Sequence, residues 1–188
     1  MRPSLLTTIL LTSLSTTILC GCGGGGGDSS SDFSGAANVS MSVQPSTLDS
    51  GDRALVSVEV SDVHPNGIAL KFRYPSGLTY VPKSGSLFVD EKKATLKPAI
   101  IAISSDGEST YLVYYLPQKL FRRAGQQYAG DPGTVEFQLV GKSAVHDGLI
   151  EVDADVDDPT VSNTTEFNIS KPEFLAEDQQ GITVQVGN

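Results

Sequence analysis

The stretch IALKFRYPSGL, residues 68–78, decides the fold class. Large apolar residues occupy every second position from Ile68 to Tyr74, and Ala, Lys and Arg occupy the positions between them. Because successive side chains of a β-strand point to opposite faces, this period of two predicts a strand that is buried on one face and solvated on the other. Pro75 and Gly77 then provide the backbone angles that a turn requires. The stretch therefore predicts a half-buried strand followed by a turn.

The same alternation recurs along the chain, separated by turn sequences rich in Gly, Asp and Pro. We predict strands over residues 39–43, 56–60, 68–74, 78–81, 86–89, 99–104, 110–116, 134–140, 149–156, 166–169 and 182–186. Many short strands with such turns favour an all-β fold in which two sheets form a sandwich. The alternation fails over residues 117–128, where we expect a loop or a single helical turn.

The first residues are typical of a secretory signal. A single Arg precedes an apolar run over residues 5–19, which is too short and too rich in Thr and Ser to span a bilayer. The run ends in LCGC, residues 19–22, which resembles the lipobox of bacterial lipoproteins. That resemblance implies cleavage between Gly21 and Cys22 and lipidation of Cys22. The alternative is an ordinary signal peptide followed by two incidental cysteines; a Cys20–Cys22 disulfide would close a strained, very short loop.

Three segments follow from this interpretation. We expect a lipoprotein signal peptide over residues 1–21, a lipidated Cys with a Gly/Ser-rich tether over 22–37, and a folded domain over 38–188. Gly-rich chains are flexible, so the tether would let the domain stand off the membrane. Gly23 after the lipid site resembles the outer-membrane sorting signal of Gram-negative bacteria. We therefore expect an outer-membrane lipoprotein in the cell envelope, with the occupied face undetermined.

The charge balance narrows the ligand classes. The chain carries 13 Lys plus Arg against 22 Asp plus Glu, a formal net charge of -9. Such acidity argues against nucleic acid, whose phosphates need clustered cations. Both histidines, His64 and His146, fall in predicted turns without neighbours at metal-ligand spacing. No nucleophile elbow, zinc-protease helix or phosphate-binding Gly loop is present, so we expect neither an enzyme nor a cofactor.

The order of several motifs resembles the cohesin domains. GDRALVSV (51–58) is similar to their opening turn and strand, and NGIALKFRYPSGL (66–78) to their third strand and its turn. GTVEFQLV (133–140) with AVHDG (144–148), and GITV (181–184), are similar to their closing segments. The resemblance implies an antiparallel jelly-roll sandwich of about nine strands, related to the cellulose-binding modules of families 2 and 3.

The resemblance also implies a function. Cohesins hold dockerin-bearing proteins on a scaffold or surface, often in carbohydrate-degrading assemblies. We therefore expect a non-catalytic, membrane-anchored binding or scaffolding module with a dockerin-type protein partner. Where many cohesins have Tyr-Asp, this chain has Tyr74-Pro75, so no partner-contacting residue is transferred.

An acidic strip is the sharpest electrostatic feature of the sequence. Four carboxylates alternate with apolar residues on one predicted strand: Glu151, Asp153, Asp155 and Asp157. The functional interpretations are a Ca²⁺ site and a docking strip for a basic partner, although the pattern lacks the turn Gly and bidentate Glu of a complete EF-hand loop. We prefer a solvated outer face that also blocks edge pairing.

A basic and aromatic loop is the second candidate site. It comprises Lys119, Phe121, Arg122, Arg123 and Tyr128. Arg and aromatic residues are frequent in binding hot spots, so the loop is a candidate partner contact. The alternative is that Leu120 and Phe121 plug the end of the sandwich while the charges stay solvated.

Polysaccharide binding is the other function that the sequence leaves open. The chain has no Trp, the usual platform for sugar rings, and the adjacent Tyr114 and Tyr115 place one ring outward on a predicted strand. A carbohydrate-binding lipoprotein is therefore the alternative to a protein-docking module, together with a purely structural envelope component.

Overall fold

The computed structural model describes residues 37–123, 125, 130–156 and 180–187, all within one compact unit, Phe33–Asn188. Twelve strands and one 3₁₀ turn are formed in this part of the chain. The strands are β1 Asn38–Gln44, β2 Thr47–Leu48, β3 Arg53–Ser61, β4 Ile68–Pro75, β5 Leu78–Tyr80, β6 Ser86–Val89, β7 Lys92–Thr95, β8 Ile100–Ile103, β9 Ser109–Leu116, β10 Gly133–Gly141, β11 Val145–Val156 and β12 Gln180–Val186. The 3₁₀ turn, η1, is Gln118–Leu120, where a helical turn was one of the two expectations.

The strands form two sheets, which confirms the all-β, two-sheet sandwich. The first sheet has the order β1-β3-β10-β6-β7, with β5 also paired to β10. The second has the order β2-β12-β11-β4-β9-β8. All pairings are antiparallel except the one between β12 and β2, where the short β2 runs parallel.

The number of strands differs from the expected nine or so. The structure adds β2, which has two residues, and β7, whose sequence KKAT has no apolar alternation. Both form because a neighbouring strand supplies the backbone partners, which a period-two pattern does not detect. The predicted strand over residues 166–169 lies outside the described residues.

The core lies between the sheets and centres on aromatic rings. Phe72 on β4 meets Phe137 on β10 edge to face, with ring centroids 4.7 Å apart. Tyr80 and Tyr114 flank Phe137, each with its centroid 6.1 Å away. Edge-to-face rings in a fully buried position stabilise a core beyond the area they bury.

The prediction that the large apolar residues of β4 face the core is confirmed, but the opposite face of the strand is not solvated. Lys71 is only 4% exposed and Ala69 only 1% exposed. The reason is the position of β4 between β11 and β9: Ala69 lies between Asp155 and Tyr115, and Lys71 between Asp153 and Val113. The prediction of a half-buried strand is therefore wrong for β4.

Candidate functional site

Two distant segments bring cations together at one end of the first sheet. Lys92 and Lys93 begin β7, and Arg122 and Arg123 follow η1. Lys92 Nζ lies 3.5 Å from the carbonyl oxygen of Arg122. We call these four exposed residues the basic patch.

Phe121 fixes the position of the two arginines. Its side chain is fully buried and packs against Gly133, at the start of β10. Its carbonyl oxygen accepts hydrogen bonds from the N–H groups of Gly130 (2.6 Å) and Asp131 (2.9 Å). Asp131 also holds Arg123, accepting from its backbone N–H at 3.0 Å and pairing with its Nε at 3.1 Å. The loop is therefore anchored on both sides of the exposed arginines.

These contacts place the apolar residues of the loop in the core and leave its cations exposed. Phe121 plugs the sandwich and Leu120 packs against the core, while Lys119, Arg122 and Arg123 are exposed. The prediction that Phe121 contacts a partner is thus wrong, because its ring is fully buried. Tyr128 lies outside the described residues.

A groove on the outer face of the first sheet borders the basic patch. It encloses about 560 Å³ and is lined by residues that include Asn38, Glu59, Phe88, Asp90 and Thr134. Lys93 connects the groove to the patch, because its Nζ lies 4.9 Å from the centroid of the Phe88 ring. Together the groove and the patch offer an aromatic ring, cations and carboxylates on one surface.

The acidic strip has a different environment from the one expected. Glu151 is 3% exposed and Asp153 4% exposed, although both point to the outer face of β11. The strand β4 lies beside β11 and brings a cation opposite each: Arg73 faces Glu151 and Lys71 faces Asp153. The preferred interpretation, a solvated face that blocks an edge, is wrong, because β11 is paired on both sides and its carboxylates are neutralised by β4.

The ion pairs on this face are short. Arg73 binds Glu151 with both Nε and Nη2, the latter donating to Oε1 at 2.7 Å. Lys71 Nζ lies 2.6 Å from Oδ2 of Asp153 and 2.6 Å from Oδ2 of Asp155. Asp157 lies outside the described residues. Of the four carboxylates predicted to bind a cation or a basic partner, Glu151, Asp153 and Asp155 are thus bound by the chain's own side chains.

The two cations of this face stay charged. Burial alone would lower the pKa of Lys71, but its hydrogen bonds to Asp153 and Asp155 and their charges outweigh burial and raise it. The hydrogen bond to Glu151 likewise raises the pKa of Arg73 against the effect of burial. Lys71 and Arg73 therefore keep their positive charges at neutral pH.

The described residues were searched for metal-binding groups and for membrane-spanning helices. Within residues 37–123, 125, 130–156 and 180–187, no group of three or more His, Cys, Asp or Glu side chains is placed to hold a metal ion. His146 lies in β11 rather than in a turn, and His64 Nδ1 accepts a hydrogen bond from the N–H of Asn66 at 3.2 Å. In the same part of the chain, no helix has the length and apolar character needed to cross a bilayer.

Sequence reasoning found the arginines of the basic patch but not the lysines. The signal for Lys92 and Lys93 was present as two adjacent cations after the turn residues Asp90 and Glu91. Only the packing of the loop against β7 shows that they belong with Arg122. The ion pairs of the second sheet had a clearer signal, since cations and carboxylates each recur at every second position on two predicted strands.

Comparisons with known proteins give structural likeness only. No family model matches the chain, and no curated protein does so. The chain is similar to the T6 backbone pilin of Streptococcus pyogenes (11% identity, 80% of this chain and 36% of the pilin, TM-score 0.49). It is similar to a cohesin module from a family 33 glycoside hydrolase of Clostridium perfringens (12% identity, 81% of this chain and 97% of the module, TM-score 0.35). It is also similar to AvmM, which catalyses macrocyclization in alchivemycin A biosynthesis (10% identity, 81% of this chain and 89% of AvmM, TM-score 0.47). The chain itself is a two-sheet β-sandwich, as its own strand pairings show.

Proposed function

We propose that this chain is a non-catalytic, lipid-anchored module of the cell envelope that docks a protein partner in the manner of a cohesin. The partner would be dockerin-like and part of an envelope or polysaccharide-degrading assembly. The order of the sequence motifs supports the cohesin type, and the two-sheet sandwich agrees with it. The observation that carries the docking role is the contact between Lys92 and Arg122, which joins two cationic segments on one anchored surface.

The basic patch has the properties of a recognition surface. Four exposed cations lie together in a chain whose net charge is -9. Asp131 pairs with Arg123, and Asp90 and Glu91 lie in the adjoining turn, so the patch is a cationic cluster with an acidic rim. Charged groups of both signs in a defined arrangement give specificity and steer association more than they add affinity.

The groove adds an apolar contact surface to the charges of the basic patch. Phe88 is half-buried in its wall, and Lys93 covers one face of the ring. Aromatic residues beside Arg are enriched where partners bind tightly. We expect a partner segment that carries carboxylates toward Lys92 and Arg122 and inserts an apolar side chain beside Phe88.

The experiment uses residues 33–188, the compact unit that contains the buried core of the described residues, as bait for proteins from the cell of origin. Lys93→Glu with Arg122→Glu should reduce capture of a specific protein by roughly tenfold or more, because it reverses two contacts of the patch. The matched control is Lys83→Glu with Lys142→Glu, which makes the same change in net charge at exposed positions elsewhere and should retain capture. Equal capture by both double variants would place the docking site elsewhere.

Polysaccharide binding is the second candidate, and the groove is the observation that favours it. Its lining combines the Phe88 ring with amide, hydroxyl and carboxylate groups, which is the chemistry that sugars require. Lys93 over the ring leaves less of it open for stacking. Residues 33–188 should then be retained on insoluble polysaccharide without any protein partner, and Phe88→Ala should abolish the retention. That result would favour polysaccharide binding over protein docking.

A further inference from the structure

The second sheet ends in a strand with exposed isoleucines. In β8, Ile101 is 54% exposed and Ile103 is 65% exposed, the highest values among the large apolar side chains of the described ranges. The residues directly opposite on β9, Leu112 and Thr110, are buried. The apolar surface therefore belongs to the end strand itself.

The backbone of the same two residues points outward. The N–H of Ser104 donates to the carbonyl oxygen of Ser109 at 2.8 Å, which sets the alternation of the β8–β9 ladder. In an antiparallel pair every second residue bonds to the neighbour, so Ala102 bonds to β9 and Ile101 and Ile103 direct N–H and C=O to the open side. The edge formed by β8 thus presents both main-chain hydrogen-bonding groups and exposed isoleucine side chains to another strand.

The other end strands are shorter or carry charged or polar side chains, whereas the side chains of β8 are all apolar. The strand β7 begins with Lys92 and Lys93, β2 has only two residues, and the exposed positions of β1 are polar. Lysines, short length and polar side chains are the usual devices that prevent an edge from pairing. From Pro98 to Ser105 the chain has no charged residue, although its net charge is -9.

We propose that β8 is an interface at which two copies of this chain pair antiparallel, edge to edge, about a two-fold axis at Ala102. In this register Ile101 of one copy exchanges main-chain hydrogen bonds with Ile103 of the second copy, and their side chains pair on one face. A two-fold interface requires a self-complementary edge, which the sequence IIAI provides. An uncharged edge also lets two strongly acidic chains approach without placing like charges opposite each other.

The flanks of β8 limit the pairing to residues 101–103. Ala99 N–H donates to the carbonyl oxygen of Val113 at 2.8 Å, which makes a bulge where β8 begins, and Gly107 N–H donates to the carbonyl oxygen of Ser104 at 2.9 Å in the turn where β8 ends. The partner edge must therefore be short, apolar and uncharged, as β8 itself is, which favours a second copy as the occupant.

The small size of the interface indicates a weak dimer in solution. One short strand pair buries less than the roughly 1,200 Å² of stable complexes, so we expect association that depends on concentration. If the chain is anchored to a membrane as proposed above, confinement to a surface raises its effective concentration. The pairing itself does not depend on that anchor.

A disulfide across the axis tests the register directly. Ala102 would face Ala102 of the second copy at the close spacing of ~4.5 Å between Cα atoms, which a disulfide can bridge. Residues 33–188 contain no cysteine, so Ala102→Cys introduces the only thiol. Under mild oxidation it should form covalent dimers at least ~10-fold faster than the control Ser42→Cys, an exposed position on the end strand β1, because pairing raises the local thiol concentration.

Further variants test the contacts. Ile103→Lys added to Ala102→Cys should abolish the acceleration, while Leu55→Lys, at another exposed apolar position, should not. Sedimentation of the native residues 33–188 should show reversible dimers as the concentration approaches about 1 mM.

Three outcomes would overturn the proposal. They are equal cross-linking rates for Ala102→Cys and Ser42→Cys, a purely monomeric chain at the highest concentration, and an edge that binds the strand of another protein while the chain stays monomeric. Loss of the protein partner in the docking experiment would not affect any of these readouts.

Discussion

Lys71 on β4 lies directly opposite Asp153 on β11, with Nζ 2.6 Å from Oδ2 and both side chains only 5% exposed. Asp155 contacts the same Nζ, and Arg73 binds Glu151 on the next outward-facing pair of positions along the two strands. Charges removed from water are costly unless they are paired, so these contacts also fix the register between β4 and β11. A slip of β11 by one residue would turn Glu151, Asp153 and Asp155 toward the apolar core.

Removal of one partner of this pair should be strongly destabilising. Lys71→Met leaves Asp153 buried without a cation, and we expect the free energy of unfolding to fall by about 3–5 kcal/mol. Urea unfolding followed by circular dichroism measures the change. The double variant Lys71→Met with Asp153→Leu should recover most of the loss, because it also removes the carboxylate left without its cation. Equal loss in both variants would show that packing rather than charge dominates.

Alkaline pH should unfold the domain while its buried tyrosines are still protonated. Burial raises the pKa of both Tyr74 and Tyr114, and the net effect of the contacts with Asp153 and Asp155 raises that of Lys71. A raised folded pKa stabilises the protein fully below the unfolded value, and this stabilisation is lost as the pH rises toward the folded value. We therefore expect stability to decline above about pH 10.

Tyrosinate absorbance provides the measurement. Tyr74 and Tyr114 should ionise only when the chain unfolds, so their share of the absorbance change should coincide with the loss of the circular dichroism signal. Tyr114→Phe should reduce this share. Ionisation of Tyr74 and Tyr114 near the ordinary tyrosine value, before the chain unfolds, would contradict their buried positions.

Phe121 should contribute to stability and not to binding. Its ring is fully buried against β10, so Phe121→Ala should cost about 3–5 kcal/mol through the cavity it leaves. Arg122→Ala, one residue further along and exposed, should change stability by no more than about 0.5 kcal/mol. Thermal unfolding of the two variants compares them directly. A mild effect of Phe121→Ala would mean that the loop closes over the gap.

The lipid anchor is tested at Cys22. Cys22→Ala should leave an uncleaved precursor or abolish partitioning into the detergent phase, because acyl chains at about 0.8 kcal/mol per buried methylene supply the membrane affinity. Cys20→Ala is the matched control, since Cys20 belongs to the part that the signal peptidase would remove. Unchanged partitioning of Cys22→Ala would refute the lipidation.

The sequence by itself determined the fold class and the positions of most strands. Ser86–Val89 was predicted to the residue, and the strands from β3 to β12 that carry apolar alternation were found within a few residues of their ends. The physical reason is that a strand with one face in the core must alternate, and that turns need Gly, Asp or Pro locally. The arginines near η1 were also visible, because they interrupt the alternation.

Only the tertiary structure decided which residues meet. The pattern of β11 showed carboxylates on one face but not that β4 would lie beside it with Lys71 and Arg73 in register. The loop that carries Arg122 could not be placed next to Lys92 from either segment alone, nor could Phe121 be assigned to the core. Strand order and register arise from contacts between residues distant along the chain, and a local period of two contains no information about them.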